Sequence, residues 1–318
     1  LCHTTYESIY YSTVLNDGAI LTYLKRKDIV SPNKPTTYNP SLRDISVKKA
    51  EYEYKAGRID KEEYEEIKLL AEYAGGYLKD PNPGLYEWVI DLDFTSLYPS
   101  IIRTFLIDPK GLVEGLKIAE SDVDSDDIVE GFLGAKFHRN NPILPKLIAS
   151  LAEQRELAKK SQNQPLSQAI KIIMNSLYGV LGSKGCIFHD AKLASSITMR
   201  GHQIMKLTKA WVEEMGYQVI YGDTDSTFVW LGDQLQINAD LIGRQMAEAI
   251  SQKWAAWCDS EYQLTSFLEL EFESHFNQFI MPTLRGSELG SKKRYVGLKL
   301  DKHSKPEMVF KGMEQVRS

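Results

Sequence analysis

Residues 86–94 read YEWVIDLDF, a run of aromatic and β-branched positions with two aspartates set into it. That composition predicts a strand, and the pleat places Asp91 and Asp93 on one face. The segments YQVI (217–220) and STFVW (226–230) predict two short strands, with Gly-Asp-Thr-Asp between them as a hairpin turn carrying Asp223 and Asp225. Further strands are expected over 265–282 and in KKRYVGLKL (292–300). Helical patterning covers 6–27, 43–74 (interrupted near Gly57 and stopped by Gly75-Gly76), 191–216 and 238–258. Two more helices, 143–161 and 166–182, are separated only by the SQNQP turn, which predicts an antiparallel helical hairpin. The Pro- and Asn-rich stretch to about 41 and the acidic stretch 116–131 are expected as loops. The class is α+β, with a helical hairpin inserted between two strand-bearing halves.

Composition adds bounds. The 318 residues, 43% hydrophobic and 25% charged, suffice for two or three packed units. Cys2, Cys186 and Cys258 have no metal-type spacing, which fits a reduced intracellular protein. No run is long enough to span a membrane, no signal peptide is present, and the chain begins with Leu1. The net charge of −5 argues against a polyanion ligand, but the charges are segregated. Residues 141–210 hold ten lysines and arginines against three acids, whereas 114–130 hold seven acids and one lysine. One basic region set against acidic loops suits a polyanion bound at one place; a solvated basic helix pair is the plain alternative.

Acids at the end of a buried strand are costly unless they are paired or hold a metal. The pair Asp91/Asp93 and the pair Asp223/Asp225 together could hold hard cations about 3.5–4 Å apart, the spacing used for in-line phosphoryl transfer. Either DxD alone is a weak signal. On the second helix of the hairpin, Lys171, Asn175 and Tyr178 fall on one stripe, with Ile172, Ile173, Met174 and Leu177 supplying the buried side. Arg155 and Lys159 are i,i+4 neighbours on the first. Three cations facing one cleft suit a triphosphate; ordinary basic surface around a core tyrosine is the other reading. In GSKKRYVG, Lys292, Lys293, Arg294 and Tyr295 are expected on a strand after a glycine turn. Phosphate-backbone contacts and a lysine-protected edge strand both account for them, and spacing does not choose.

Together these segments resemble the family B DNA polymerases. DFTSLYPSII resembles the family's motif A, KIIMNSLYG its motif B and YGDTDS its motif C. SKKRY resembles the later basic motif that touches primer–template, and YAGG (73–76) the YxGG segment near the template path. The order fits, the likeness runs from about residue 70 to the C-terminus, and SLYPSIIRTFLIDPKGLVEG, RGHQIM and VFKGMEQVR are similar to the bacterial polymerase II branch.

The resemblance implies a polymerase palm, an antiparallel sheet packed on helices, with an inserted two-helix fingers hairpin. The implied division is 1–83 as a lead-in with a helical excursion at about 42–75, 84–141 as the first palm segment, 142–183 as fingers and 184–318 as the second palm segment. It implies DNA-directed DNA synthesis with two Mg2+ ions, Mn2+ being able to substitute. Asp93 and Asp225 would be the metal ligands, with Asp223 a supporting acid; Asp91 receives no role. The backbone at Ser96 and Leu97 would cradle the nucleotide phosphates and Tyr98 would be the steric gate against ribose. Arg155, Lys159 and Lys171 would neutralise the triphosphate, and Asn175 and Tyr178 would line the nascent pair. Lys292, Lys293, Arg294, Tyr295, Gly75 and Gly76 would meet DNA. Primer–template DNA, dNTPs and a sliding clamp are the implied partners, with no membrane, and the implied setting is the bacterial cytoplasm at the nucleoid. The exonuclease and thumb regions of such a protein would lie outside this chain, leaving a core that keeps the chemistry but grips DNA poorly.

Overall fold

The acidic strand forms over Gly84–Phe94 and lies in the middle of a sheet. The structure is a computed structural model that describes residues 19–22, 24–26, 45–120, 126–183, 185–232, 238–300 and 305–313. Most of the helix expected over 6–27, and the loop after it, lie outside these residues; 19–22 and 24–26 are helical. From Val47 onward the helices are α1 (Val47–Lys55), α2 (Lys61–Glu72), α3 (Leu97–Thr104), α4 (Pro109–Glu120), α5 (Leu144–Lys160), α6 (Gln164–Leu181), α7 (Ala191–Glu214) and α8 (Ala239–Tyr262). The strands are β1 (Leu78–Lys79), β2 (Gly84–Phe94), β3 (Ile128–Glu130), β4 (Lys136–His138), β5 (Gln218–Asp223), β6 (Ser226–Trp230), β7 (Leu270–Met281), β8 (Tyr295–Leu300) and β9 (Pro306–Lys311). The chain divides into two units: one of residues 1–75, 98–200 and 264–267, the other of 76–97, 201–263 and 268–318.

The second unit is built on a seven-stranded sheet, ordered β1-β5-β6-β2-β7-β8-β9, with every neighbouring pair antiparallel. Val89, Ile90 and Leu92 of β2 are fully buried, and since Ile90 points to the face opposite Val89, both faces are covered. Val89 joins an aromatic cluster formed by Tyr221, Phe228, Phe276 and Phe279, with Tyr295 packed on it. α8 lies against β2 and β7, and Gly243 is required there: an added Cβ would stand 2.2 Å from the Phe272 ring. The buried Trp254 indole donates to the Thr208 hydroxyl at 3.0 Å, fastening α8 to the C-terminal part of α7.

In the first unit, α5 and α6 pack on one another across a three-residue connection, as the SQNQP turn predicts. The Asn163 side chain caps α6 by accepting from the Leu166 N–H at 3.2 Å. α1 and α2 form the interrupted helical excursion, broken at Gly57 (φ +70°), with the pairs Lys55–Glu51 (2.6 Å) and Lys68–Glu65 (2.9 Å) on a solvated surface. α4 packs on β4 so closely that a Cβ at Gly115 would stand 2.2 Å from the Lys136 carbonyl oxygen.

Three expectations need correction. Of the stretch 116–131, expected as loop, residues 116–120 continue α4, whose buried Leu112 and Gly115 carry it against β4, and 128–130 form β3, while 121–125 lie outside the described residues. Pro99 occupies the first turn of α3, where a missing N–H costs nothing. On α6 the sides of two residues are exchanged: Ile172 is 57% exposed while Tyr178 is 9% exposed. Finally, the strand in KKRYVGLKL starts only at Tyr295, so Lys292, Lys293 and Arg294 lie in the turn before it, with Lys293 at φ +60°. Among the described residues no helix is long and apolar enough to cross a membrane.

Candidate active site

The β5–β6 hairpin forms as expected, and its tip is held from two sides. Asp223 and Asp93 both pair with Ser226, from opposite edges of β6. The Ser226 hydroxyl donates to Asp93 Oδ2 at 2.6 Å. The Phe94 N–H donates to the Asp225 carbonyl at 3.0 Å, fixing the hairpin tip to the end of β2. On the outer side the Thr224 N–H donates to the Tyr77 carbonyl at 2.6 Å. Asp225 N–H turns back to the Asp223 carbonyl at 2.7 Å, which leaves the β-branched Thr224 at φ +60°. That conformation is costly for such a residue and persists only because the neighbours impose it. Gly76 is one of those neighbours: a Cβ there would come within 2.5 Å of Thr224 Oγ1. Its lack of a side chain therefore serves the acidic tip, whereas Gly75 has open space around it.

The charges at this place are unbalanced. Asp91, Asp223 and Asp225 line a cavity of about 430 Å³, together with Glu273, Lys293 and Lys299. Burial, then the neighbouring Asp93, pushes the Asp225 carboxyl up to about 6. Asp91 is 7% exposed, its Oδ1 has no hydrogen-bond partner, and burial followed by Glu273, Asp93 and Asp225 pushes its pKa well above the ordinary range. Lys293 supplies the compensating cation for Asp223, its Nζ lying 2.8 and 2.9 Å from the two carboxylate oxygens. The Lys293 N–H also donates to the Tyr221 hydroxyl at 3.1 Å, and that hydroxyl donates to Asp223 at 3.3 Å. Burial and the surrounding acids push the Tyr295 phenol up to about 12.

The remaining expected residues are placed as follows. Lys292 pairs with Asp80 at 2.7 Å on the surface, and Arg294 is exposed. Ser96 is half-buried at φ +49°, immediately before α3, which opens with the buried Leu97. In the other unit, the rings of Tyr98 and Tyr178 meet with centroids 4.7 Å apart, and the Tyr178 hydroxyl donates to the Ala74 carbonyl at 3.4 Å. This contact joins the α6 stripe to the YAGG segment. Lys171 and Asn175 are exposed on α6, Lys159 pairs with Glu156 at 2.6 Å, and Arg155 is half-buried with its Nε lacking a hydrogen-bond partner.

Glu273 was not among the expected residues. The register of β2 against β7 shifts between Asp91 and Leu92, and this irregularity leaves Glu273 beside the acids of β2. The alternating acids of LELEFES were the available signal, but a bulge is invisible in a strand pattern. Ser226 and Tyr221, which orient Asp93 and Asp223, were equally undistinguished from ordinary strand residues.

The donor set fits a hard divalent cation. It consists of carboxylates, one of them orphaned in burial, that repel one another without a cation between them. Among the described residues no three acid, histidine or cysteine side chains form a ready-made metal cage. Two carboxylates completed by substrate oxygens are the usual arrangement for Mg2+.

Known proteins share this arrangement of segments. The family model described as DNA polymerase family B matches residues 8–318. The chain is 55% identical over 245 residues to DNA polymerase II of Escherichia coli (strain K12), covering 77% of this chain and 30% of that protein. It is 31% identical over 271 residues to DNA polymerase 1 of Pyrococcus abyssi (strain GE5 / Orsay), covering 81% of this chain and 31% of the relative. The solved family B DNA polymerase of Pyrobaculum calidifontis superposes with a TM-score of 0.55 at 20% identity, over 94% of this chain and 33% of that one, a likeness of fold. The chain thus spans about a third of the length of these relatives. With motifs A, B and C in order and the family match running almost from end to end, the chain belongs to DNA polymerase family B.

Proposed function

We propose that this chain is the catalytic core of a DNA-directed DNA polymerase, adding deoxynucleotides to a primer 3′-hydroxyl and releasing pyrophosphate. The observation that carries the reading is the junction of β2 with the β5–β6 hairpin, where backbone hydrogen bonds hold Asp225 beside Asp93 at an energetic cost. A fold tolerates such a cost where function needs it.

Asp93 and Asp225 would hold the divalent cations, Mg2+ or Mn2+, which when bound lower the pKa of a hydroxyl nucleophile and neutralise phosphate charge. The protein's own contribution is placement. Ser226 orients Asp93, the Phe94 N–H fixes the Asp225 backbone, and Lys293 with Tyr221 steadies Asp223. The N-terminus of α3, with Ser96 and Leu97, offers backbone N–H groups to phosphate oxygens. Arg155, Lys159 and Lys171 take the triphosphate, Asn175 and Tyr178 border the nascent pair, and Tyr98 excludes the ribose 2′-hydroxyl. Residues 84–141 and 184–318 serve as palm, 142–183 as fingers, and 1–83 as the lead-in. Primer–template DNA and dNTPs are the substrates, exonuclease and thumb regions of a longer chain the companions, a sliding clamp a further partner, and the bacterial nucleoid the setting.

Extension of a labelled primer on a DNA template with Mg2+ and dNTPs tests the reading. Nucleotide-by-nucleotide extension is expected. No extension with protein in excess over primer, and with folding verified by circular dichroism, would sink it in favour of an inactive binding fragment.

Lys292 and Lys293, with Arg294 beside them, form the turn that would meet DNA phosphates. Changing both lysines to alanine is expected to weaken binding alike on unrelated DNA sequences. The slope of log affinity against log salt should fall by about one per lysine removed. Loss confined to one sequence would contradict a backbone contact.

A further inference from the structure

Helix α5 begins without a cap of its own. Its N-cap is Ile143, which has no side-chain acceptor, and a proline occupies its first turn. The missing acceptor comes from Asp108, 35 positions earlier and 0% exposed. Asp108 Oδ1 accepts from the Ile143 N–H at 3.0 Å and the Leu144 N–H at 2.6 Å. Oδ2 accepts from the Gly111 N–H at 2.8 Å, capping α4. One buried carboxylate therefore receives the N-termini of two helices, each presenting orphan donors and the positive end of its dipole. Burial alone pushes its pKa up, and the three N–H donors, with Lys110 more weakly, pull in the opposite direction.

We propose that Asp108 is a positioning residue that sets the root of the α5–α6 hairpin for nucleotide binding. This rests on the reading that Arg155, Lys159 and Lys171 take the triphosphate. Arg155 lies eleven residues beyond Leu144 on one continuous helix, about 16 Å along the axis. A tilt of about 10° at the root would displace it by about 3 Å, far beyond the tolerance of a positioned charge. No cap within α5 can compensate, because Ile143 offers no acceptor. The two carboxylate oxygens serve different helices, so substitutions separate their effects. In Asp108→Ser a short hydroxyl can cap α4 through Gly111 but cannot also reach Ile143 and Leu144. In Asp108→Asn the amide keeps one acceptor oxygen and turns a donor toward the other helix.

The test is single-nucleotide insertion by the full-length chain and its two variants, at a temperature where melting curves show each folded. Asp108→Ser is expected to raise KM for the incoming dNTP about tenfold. The Kd for primer–template should stay within about twofold of the parent, since no DNA contact is touched. A lowered melting temperature with unchanged KM would leave Asp108 a stability residue only and overturn the proposal. Absence of dNTP-dependent insertion by the parent would instead overturn the polymerase reading. Should neither variant fold, amide exchange in the unaltered protein decides. The Ile143 and Leu144 amides should exchange slowly, and more slowly still when primer–template and a non-hydrolysable dNTP are added. Fast exchange there, or no change on adding nucleotide, overturns the proposal.

Discussion

Replacing Asp225 by asparagine is expected to lower primer extension about 10³-fold, equivalent to about 4 kcal/mol of transition-state stabilisation. The same replacement is expected to make the protein more stable at neutral pH. These opposite signs follow from one cause. Asp225 is held beside Asp93 in a partly buried place, and its pKa is pushed up to about 6 by burial first and then by Asp93. A carboxyl whose pKa is raised on folding binds its proton more tightly in the folded state than in the unfolded one. Its contribution to stability is therefore fully present below the unfolded value near 4, and is lost as pH rises through about 6. Asp91, pushed upward by the same surroundings, contributes in the same direction. Thermal melts without divalent cation should thus fall between about pH 4 and pH 6, and the Asp225→Asn melt should fall less. After discounting for the part of the site that faces solvent, the gain at pH 7 is on the order of 1 kcal/mol. Adding Mg2+ should raise the melting temperature of the parent more than that of the variant, because a cation that binds only the folded state stabilises it. A variant that loses activity and stability together would mark Asp225 as structural.

The legible parts of this site were those whose signal is local. The strand around Asp91 and Asp93, the GDTD hairpin and the α5–α6 turn are each written in a few consecutive residues whose pattern and turn chemistry agree. What escaped depends on residues far apart in the chain. Glu273 reaches the acids of β2 through a register shift that strand alternation does not reveal. The exposure of Ile172 and the burial of Tyr178 depend on what packs beside α6, including Tyr98 and Ala74, and not on helical period alone. Lys292 to Arg294 look like strand residues because they precede YVGLKL without a turn signal after Gly290, yet Lys293 adopts φ +60° and bonds to Tyr221 and Asp223. Asp108 caps a helix 35 positions away, and no window short enough to show periodicity contains both partners. Local propensity placed the elements, and tertiary contacts decided which side chains meet.

Changing Tyr98 to valine is expected to lower the preference for deoxyribonucleotides over ribonucleotides by about 10²–10³-fold, or about 3–4 kcal/mol of differential transition-state free energy. The gate requires a rigid ring that cannot retreat when a 2′-hydroxyl approaches. Tyr98 meets that requirement through Tyr178, whose ring lies 4.7 Å away at 55° and is itself buried and bonded to the Ala74 carbonyl. Valine would open the space and also forfeit the aromatic pair, worth about 0.5–1.5 kcal/mol, so some loss of melting temperature should accompany the change. Tyr98→Phe keeps the ring and the stack, and should keep the discrimination, because the face of the ring and not its hydroxyl does the excluding. Weakening Tyr178 from behind by Tyr178→Ala should relax discrimination partly, since Tyr98 would then have room to move. Competition between rUTP and dTTP at a single template adenine reads all three variants. If Tyr98→Val lowers the melting temperature and leaves the ratio of kcat/KM values where it was, Tyr98 is only the packing partner of Tyr178. The residue that senses the sugar must then be sought elsewhere along the segment from Ser96 to Pro99.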